Sequence, residues 1–335
     1  MPEATVHTIA DIARLADVSK STVSRALNDS PLISPETKSR IRDIARQHSF
    51  QMNDSARRLS LRQSHVIALV TYEYRADVAV PDAFMLEVMS GITAGLHTNG
   101  YDLLVIQVSP RDTDWVGGYL DSGRVDGFVL MVASCTERHI HTLAKRQAPF
   151  IVWGLPPGKH GCTVNGDSFA GGRTATEHLL RSGRRRIAFL GGHPEQREVH
   201  DRFDGYAAAL GDAGRAVDPA LVAYGDFSPA SGATAMRSLL EQAGDLDAVF
   251  VNSDLMAIAA MEELRAQGRL IPDDVAVVGY DDIAIAQYSD PPLTTIRQSG
   301  PLAGRLLAEN LIQYLATGAV SNVSIPAELV VRESA

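Results

Sequence analysis

Cysteine is close to absent: Cys135 and Cys162 are the only two among 335 residues. That excludes a disulfide-stapled scaffold and fits a protein of the reducing cytoplasm. Long apolar runs are missing, so no segment reads as a membrane span of about 20 residues. The N-terminus shows neither the basic nor the apolar region of a secretory signal, which argues against a stand-alone exported binding protein. The loops of nucleotide and acyl chemistry are missing as well. There is no G-x-x-x-x-G-K-[ST] sequence, no G-x-G-x-x-G after a strand and no G-x-S-x-G elbow. His139 and His141 form an H-x-H pair in an expected helix, where such positions face apart. Gly191-Gly192-His193 reads as a tight strand exit rather than a phosphate loop. With no catalytic dyad in view, the sequence predicts neither an enzyme nor a protein that needs a cofactor or metal.

Positive charge is scarce overall, since the net charge is −9. Its distribution is uneven. Residues 1–65 hold 10 Lys and Arg against 7 Asp and Glu, whereas the remainder holds 21 against 33. A basic head on an acidic body favours nucleic-acid contact through one end of the molecule. The length suits two or three domains. A hydrophobic fraction of 45% is enough for each to have a complete core.

The basic head contains the most informative stretch, Thr8–Asn28, TIADIARLADVSKSTVSRALN. Ile9, Ile12, Ala13 and Ala16 recur at helical spacing, with Thr8 at the N-cap and Asp11 three residues on. The pattern breaks at Ala16-Asp17-Val18. Ser19 then caps a second short helix, Lys20–Leu27, with Val23, Ala26 and Leu27 as its apolar positions. Two short helices joined by a tight turn form a helix-turn-helix. Lys20, Ser21, Thr22, Ser24 and Arg25 remain on the outer face of the second helix. They can bond phosphates and base edges, and Arg25 can grip guanine O6 and N7 together.

This segment resembles the DNA-binding headpiece of the LacI family of bacterial transcription regulators. The match continues through Ser34-Pro35-Glu36-Thr37, which opens a third helix, and through Phe50–Leu59. Asp17 stands where the family usually has Gly. Asp tolerates left-handed backbone better than most residues, so the turn is expected to survive. Residues 51–64 are polar and basic, with Ala56 and Leu59 as the main apolar spots. The resemblance implies a hinge here that folds on DNA. In it Leu59 matches a residue that wedges into the minor groove beside its twin from a second subunit. Met52 replaces a frequent Pro, which leaves the start of the hinge less rigidly set. The candidate DNA-contacting set is thus Thr8, Lys20, Ser21, Thr22, Ser24, Arg25, Asn28, Ala56 and Leu59.

From Val66 the pattern changes to short apolar runs: VIALVT (66–71), LLVIQV (103–108), GFVLMV (127–132), RIAFLG (186–191), AVFV (248–251) and VAVVGY (275–280). Helical patterns lie between them, at Phe84–Gly100, Phe169–Ser182, Arg202–Ala213, Pro229–Gln242 and Asp254–Gln267. Such alternation gives doubly wound parallel sheets in an α/β fold. The resemblance implies two such lobes, as in periplasmic sugar-binding proteins, joined by crossovers near 164–166, 291–294 and 320–323. The expected lobes are 65–165 with 293–321, and 166–292 with 322–335, behind an all-α head at 1–50 and a hinge at 51–64.

Ligands of open α/β sheets bind beyond the C-terminal strand ends. Tyr72 and Tyr74, Phe84, Asp201 and Arg202, Phe227, Ser253 and Asp254, and Asp281 and Asp282 all follow expected strands. A guanidinium and carboxylates can bind vicinal hydroxyls in pairs, and an aromatic face can cover a sugar ring. The resemblance assigns effector contacts to Tyr72, Phe84, Arg202, Phe227, Ser253 and Asp281. Asp254 reads as an N-cap and Trp153 as core.

The sequence therefore predicts a cytoplasmic repressor, homodimeric on palindromic double-stranded DNA, whose operator affinity is switched by a small molecule, a sugar before a nucleobase. No leucine heptad follows the last strand to support a coiled-coil tetramer.

Overall fold

The computed structural model describes residues 8–48, 50, 64–72, 83–109, 112, 114–131, 137–154 and 162–335, apart from the side chains of Tyr72 and Glu137. Tyr74 and the hinge residues Ala56 and Leu59 lie outside the described residues. The chain divides into two compact units between Ser64 and His65.

In the first unit, α1 (Ile9–Leu15), α2 (Lys20–Leu27) and α3 (Pro35–Gln47) enclose one small core. Each helix is started by a hydroxyl. Thr8 forms a reciprocal capping box with Asp11, while Ser19 accepts from the Thr22 amide and Ser34 from the Thr37 amide. Each such cap contributes about 1 kcal/mol. Ile12, Ala13, Ala16, Val23, Ala26, Ile41 and Ala45 are buried together. Asp17 adopts φ +50°, so the turn keeps the left-handed backbone despite the missing Gly.

The second unit holds two six-stranded sheets. In the N-lobe, β1 (Val66–Tyr72), β2 (Asp102–Val108), β3 (Gly127–Met131), β4 (Phe150–Trp153), β5 (Cys162–Gly166) and β11 (Asn322–Ile325) pair in the order β11-β5-β4-β3-β1-β2, all parallel. In the C-lobe, β6 (Ile187–Gly191), β7 (Val222–Tyr224), β8 (Ala248–Val251), β9 (Ala276–Asp281), β10 (Thr294–Arg297) and β12 (Glu328–Val330) pair in the order β12-β10-β9-β8-β6-β7. Only β12 is antiparallel among these pairings.

Alternate residues of each strand feed opposite layers. Ile67 and Leu69 meet α4 (Ala83–Thr98) and α11 (Gly300–Thr317), while Ala68 and Val70 meet α5 (Trp115–Leu120) and α6 (Glu137–Lys145). In the C-lobe, Ile187 and Phe189 face α7 (Ser168–Arg181) and α8 (Arg197–Asp212). Ala188 and Leu190 face α9 (Pro229–Gln242) and α10 (Asp254–Ala266). The inner strands β3, β6 and β8 are therefore buried on both faces, which is why they read as unbroken apolar runs.

The three crossovers correct two expected lobe boundaries. The first leaves the N-lobe after Gly166, close to the expected point. The second follows Arg297 rather than 291–294, because Thr294–Arg297 pairs with Val278–Asp281 in the C-lobe. The third follows Ile325 rather than 320–323, because Asn322–Ile325 pairs with Thr163–Gly166 in the N-lobe. Strands of four residues without a distinctive pattern take their lobe from a distant partner, which local sequence does not encode.

Four residues at or beyond the C-terminal ends of strands pack together where the two sheets meet. Phe84 follows β1 and Trp153 ends β4; Leu255 follows β8 and Ile283 follows β9. All four join one apolar cluster, so the C-terminal edges of the two sheets meet across a shared boundary.

Candidate DNA and effector sites

On the head, Ser21, Ser24, Arg25 and Asn28 fall three, four and seven residues apart, on one stripe of α2. Lys20, Ser21, Arg25 and Asn28 are exposed, and Thr22 and Ser24 are half-buried. The Ser19 hydroxyl lies 2.7 Å from that of Ser21 and 2.8 Å from that of Thr22, which ties the first turn into one hydroxyl cluster. Thr8 is exposed, with its hydroxyl donating to Asp11 at 2.8 Å as part of the cap. The cations of α3 are partly occupied. Lys38 and Arg42 both pair with Asp29, at 3.1 and 2.7 Å.

At the C-lobe edge, Arg202 is the best-defined predicted residue, in a setting the sequence did not predict. It lies inside α8, which starts five residues earlier than expected, and its side chain is buried. Its guanidinium lies over the Tyr280 ring, 3.7 Å from the centroid. Nη1 donates to the carbonyl of Asn252 at 2.7 Å. Nε is buried with no hydrogen-bond partner among the described residues. A close helix crossing sets its position. A Cβ on Gly172 of α7 would stand 2.1 Å from the Arg202 carbonyl oxygen, and one on Gly205 of α8 would stand 2.2 Å from that of Phe169.

Asp281 ends β9 at φ +110° and is buried. It accepts from Gln298 Nε2 at 2.6 Å. Gln298 lies on the second crossover, so this carboxylate is held by the segment that joins the lobes. Asp282 is a structural acid. Its two oxygens accept from Arg297 and Arg332 at 2.7 and 2.6 Å. Phe227 is half-buried at φ +68°, with its ring against Gly192, where a Cβ would stand 2.0 Å from Cζ. Phe84 is buried in the N-lobe core against Trp153, with ring centroids 5.5 Å apart, so it reaches the boundary only as part of that core. Tyr72 ends β1, which places its backbone at the N-lobe edge.

Ser253 rather than Asp254 caps α10: its backbone is extended, and its hydroxyl accepts from the Met256 amide at 3.3 Å. The Asp254 carboxyl is fully buried. It accepts from the Ile283 amide at 2.8 Å and from the Thr295 hydroxyl at 2.5 Å. Burial pushes its pKa up to about 7, although both hydrogen bonds pull it down. A carboxyl that holds its proton more tightly when folded loses stability as pH rises from its unfolded value, near 4, towards 7. Wild-type stability from urea melts should therefore decline over that interval, and Asp254→Asn should flatten the decline. An unchanged slope in the variant would show that another group governs it.

Asn252 was missed by sequence reasoning. It is fully buried, and among the described residues neither its amide oxygen nor its amide nitrogen has a hydrogen-bond partner. The available signal was a polar amide directly after the all-apolar strand AVFV. His139 is buried against Trp115, whereas His141 is exposed, so the two rings do face apart.

Comparison with known proteins covers both units. Residues 8–53 match the model for bacterial regulatory proteins of the lacI family, and residues 176–335 match a periplasmic binding protein-like domain. The chain is 36% identical to the HTH-type transcriptional regulator CelR of Thermobifida fusca, over 98% of both chains. A solved CelR–cellobiose complex superposes with a TM-score of 0.76 at 34% identity, covering 98% of this chain and 100% of that one. The lac repressor dimer bound to operator and the anti-inducer ONPF superposes with a TM-score of 0.85 at 25% identity, covering 98% of each.

Proposed function

This chain belongs to the lacI family of bacterial regulatory proteins, and on that premise we propose that it is a cytoplasmic, homodimeric repressor released or engaged by a sugar of the cellobiose type. It is a DNA-binding transcription regulator with a helix-turn-helix head and an effector-binding body. Among the described residues no helix is long and apolar enough to cross a membrane. The observation that carries the sugar reading is Arg202. A buried guanidinium with no carboxylate partner among the described residues stands at the C-terminal sheet edge, with Nε unpaired there. A sugar hydroxyl would accept that bond, with Asp281 across β9 as the acceptor for a second hydroxyl and Phe227 as the ring's apolar cover. CelR, the similar regulator, is solved with cellobiose bound.

Ligand held from both lobes favours one lobe orientation, and it shifts the equilibrium only by its differential affinity for the two. The N-lobe strand β1 continues the chain directly from the hinge. In this reading, lobe rotation in a dimer sets whether the two Leu59 side chains can wedge together into the operator. Effector and operator are then coupled reciprocally by about 1–3 kcal/mol. Fluorescence anisotropy on a selected palindromic operator, with and without cellobiose, tests this directly. Identical isotherms across a panel of sugars would refute the sugar reading.

On the head, Arg25 reads a base edge, with Lys20 and Ser21 beside it and Ser24 and Asn28 along the same stripe. Arg25→Ala should cost about 1–3 kcal/mol of operator affinity and relax preference at one position of the selected motif. An equal loss on every sequence, with the motif unchanged, would restrict Arg25 to phosphate contact.

A further inference from the structure

We infer that Asn252 is a specificity-determining effector contact, and that it selects a neutral hydroxyl ligand over an anion; this rests on the effector reading above. The amide stands one residue beyond β8, at the edge where the two sheets meet. Its backbone is fixed on both sides. The N–H donates to the Leu190 carbonyl at 2.9 Å, and the C=O accepts from Arg202 Nη1 at 2.7 Å. The side chain is 0% exposed. Among the described residues its Oδ1 and Nδ2 both lack partners, as does the neighbouring Arg202 Nε.

Native proteins leave few buried polar atoms unpaired, because each one loses its bonds to water without replacement. Two on one amide beside a third on an adjoining guanidinium form a cluster of unmet bonds. The shape of the deficit is informative. On the amide and the guanidinium it comprises two donors, Nδ2–H and Nε–H, and one acceptor, Oδ1; the hydroxyl of Tyr280, whose ring lies under that guanidinium, is unpaired as well among the described residues. A carboxylate or phosphate satisfies the donors but sets negative oxygen against Oδ1. A hydroxyl both donates and accepts, so a vicinal pair of hydroxyls meets all three atoms. Ser253, the neighbouring residue expected to contact the effector, caps α10 by accepting from the Met256 amide and keeps its O–H to donate; the adjacent amide adds a second polar group at this edge. Because the three atoms are sealed from solvent, the ligand reaches them by displacing side chains that cover them.

A residue kept for a ligand and unpaired without one has an unusual signature. Replacing it with an apolar residue of similar size removes the unmet bonds. Thermal melts of the full-length wild type and of Asn252→Leu, without ligand and with cellobiose and a panel of other mono- and disaccharides, test the assignment. Isothermal titration with the sugar giving the largest wild-type shift provides the affinity. The expected result is a ligand-free melting temperature equal to or above wild type, together with at least a tenfold loss of sugar affinity. Asn252→Asp should lose affinity too, since it replaces a donor with a charge. A clear fall in ligand-free melting temperature for Asn252→Leu would show that the amide serves the fold, and would overturn the proposal. So would unchanged sugar affinity in Asn252→Leu. A wild type that responds to no sugar overturns both this selection rule and the sugar reading beneath it, whereas a wild type and variant that respond alike overturn the Asn252 assignment alone.

Discussion

Replacing Arg202 with alanine should abolish the effector response and leave operator binding without effector close to wild type. The guanidinium is buried, lies over Tyr280 and is fixed by the Asn252 carbonyl. Its position is therefore set before ligand arrives, and little ordering entropy is lost on binding. Truncating one member of a buried charged hydrogen bond costs about 2–5 kcal/mol. Effector affinity should thus fall on the order of 100-fold or more. Arg202→Lys should not rescue it, because an ammonium keeps the charge but loses the planar fork that stacks and bonds at once. Titration calorimetry gives the affinity, and operator anisotropy gives the retained DNA binding. A variant that still responds at the wild-type effector concentration would place the effector elsewhere. The separation of the two readouts follows from the division of the chain at Ser64–His65: the head has its own capped helices and its own core.

Gly172→Ala should be the most destabilising single methyl in the C-lobe crossing. The added Cβ would stand 2.1 Å from the Arg202 carbonyl oxygen and 2.8 Å from its carbon. Both are backbone atoms, so no rotamer change relieves the clash and α7 must move off α8. Overpacking costs about 1–3 kcal/mol even where side chains can yield, and here the upper end or beyond is expected. For a unit of this size that corresponds to a fall in melting temperature of about 6–12 °C. The displaced carbonyl belongs to Arg202, so effector affinity should fall with it. Gly211→Ala is the control. It lies on α8, the other helix of the crossing, with nothing within 4 Å of a Cβ, and replacing a helical Gly there should be neutral or stabilising by up to about 1 kcal/mol. Equal melting temperatures for the two variants would show that the crossing relaxes without cost.

The head was legible almost residue by residue because its signals are local. A hydroxyl cap, a charged residue three places on and a helical apolar stripe all act within one or two turns, and the structure has α2 spanning Lys20–Leu27 as read. The long strands were legible for a related reason: burial on both faces leaves unbroken apolar runs. Legibility failed where the deciding partner is far away. Thr294–Arg297 and Asn322–Ile325 carry no mark of which sheet they complete. The first turns of α8, Arg197–Asp201, offer only Val199 as an apolar position, and Gln196 makes no side-chain cap, so the helix start was read too late. That places Arg202 at the start of the helix instead of inside it. At Ser253-Asp254 both residues can cap. The choice turns on whether the carboxyl is needed inside, by the Ile283 amide and the Thr295 hydroxyl. Asn252 was passed over because an amide after a strand is unremarkable until its empty hydrogen-bond positions are seen.

The three crossovers also set a timetable for synthesis. The N-lobe sheet gains its sixth strand only with Asn322–Ile325, and the C-lobe sheet its antiparallel edge only with Glu328–Val330. Ser334 then ties β10 to β9, accepting from the Thr294 amide and donating to the Val277 carbonyl, at 2.8 and 2.6 Å. On the ribosome, neither lobe can close while its missing strand is still unmade. Translation at about 5–20 residues per second leaves tens of seconds between the appearance of β1 and that of β11. Once β5 is made, the growing chain carries its unpaired edge until Asn322–Ile325 follows, and such an edge is a template for pairing with a neighbouring nascent chain.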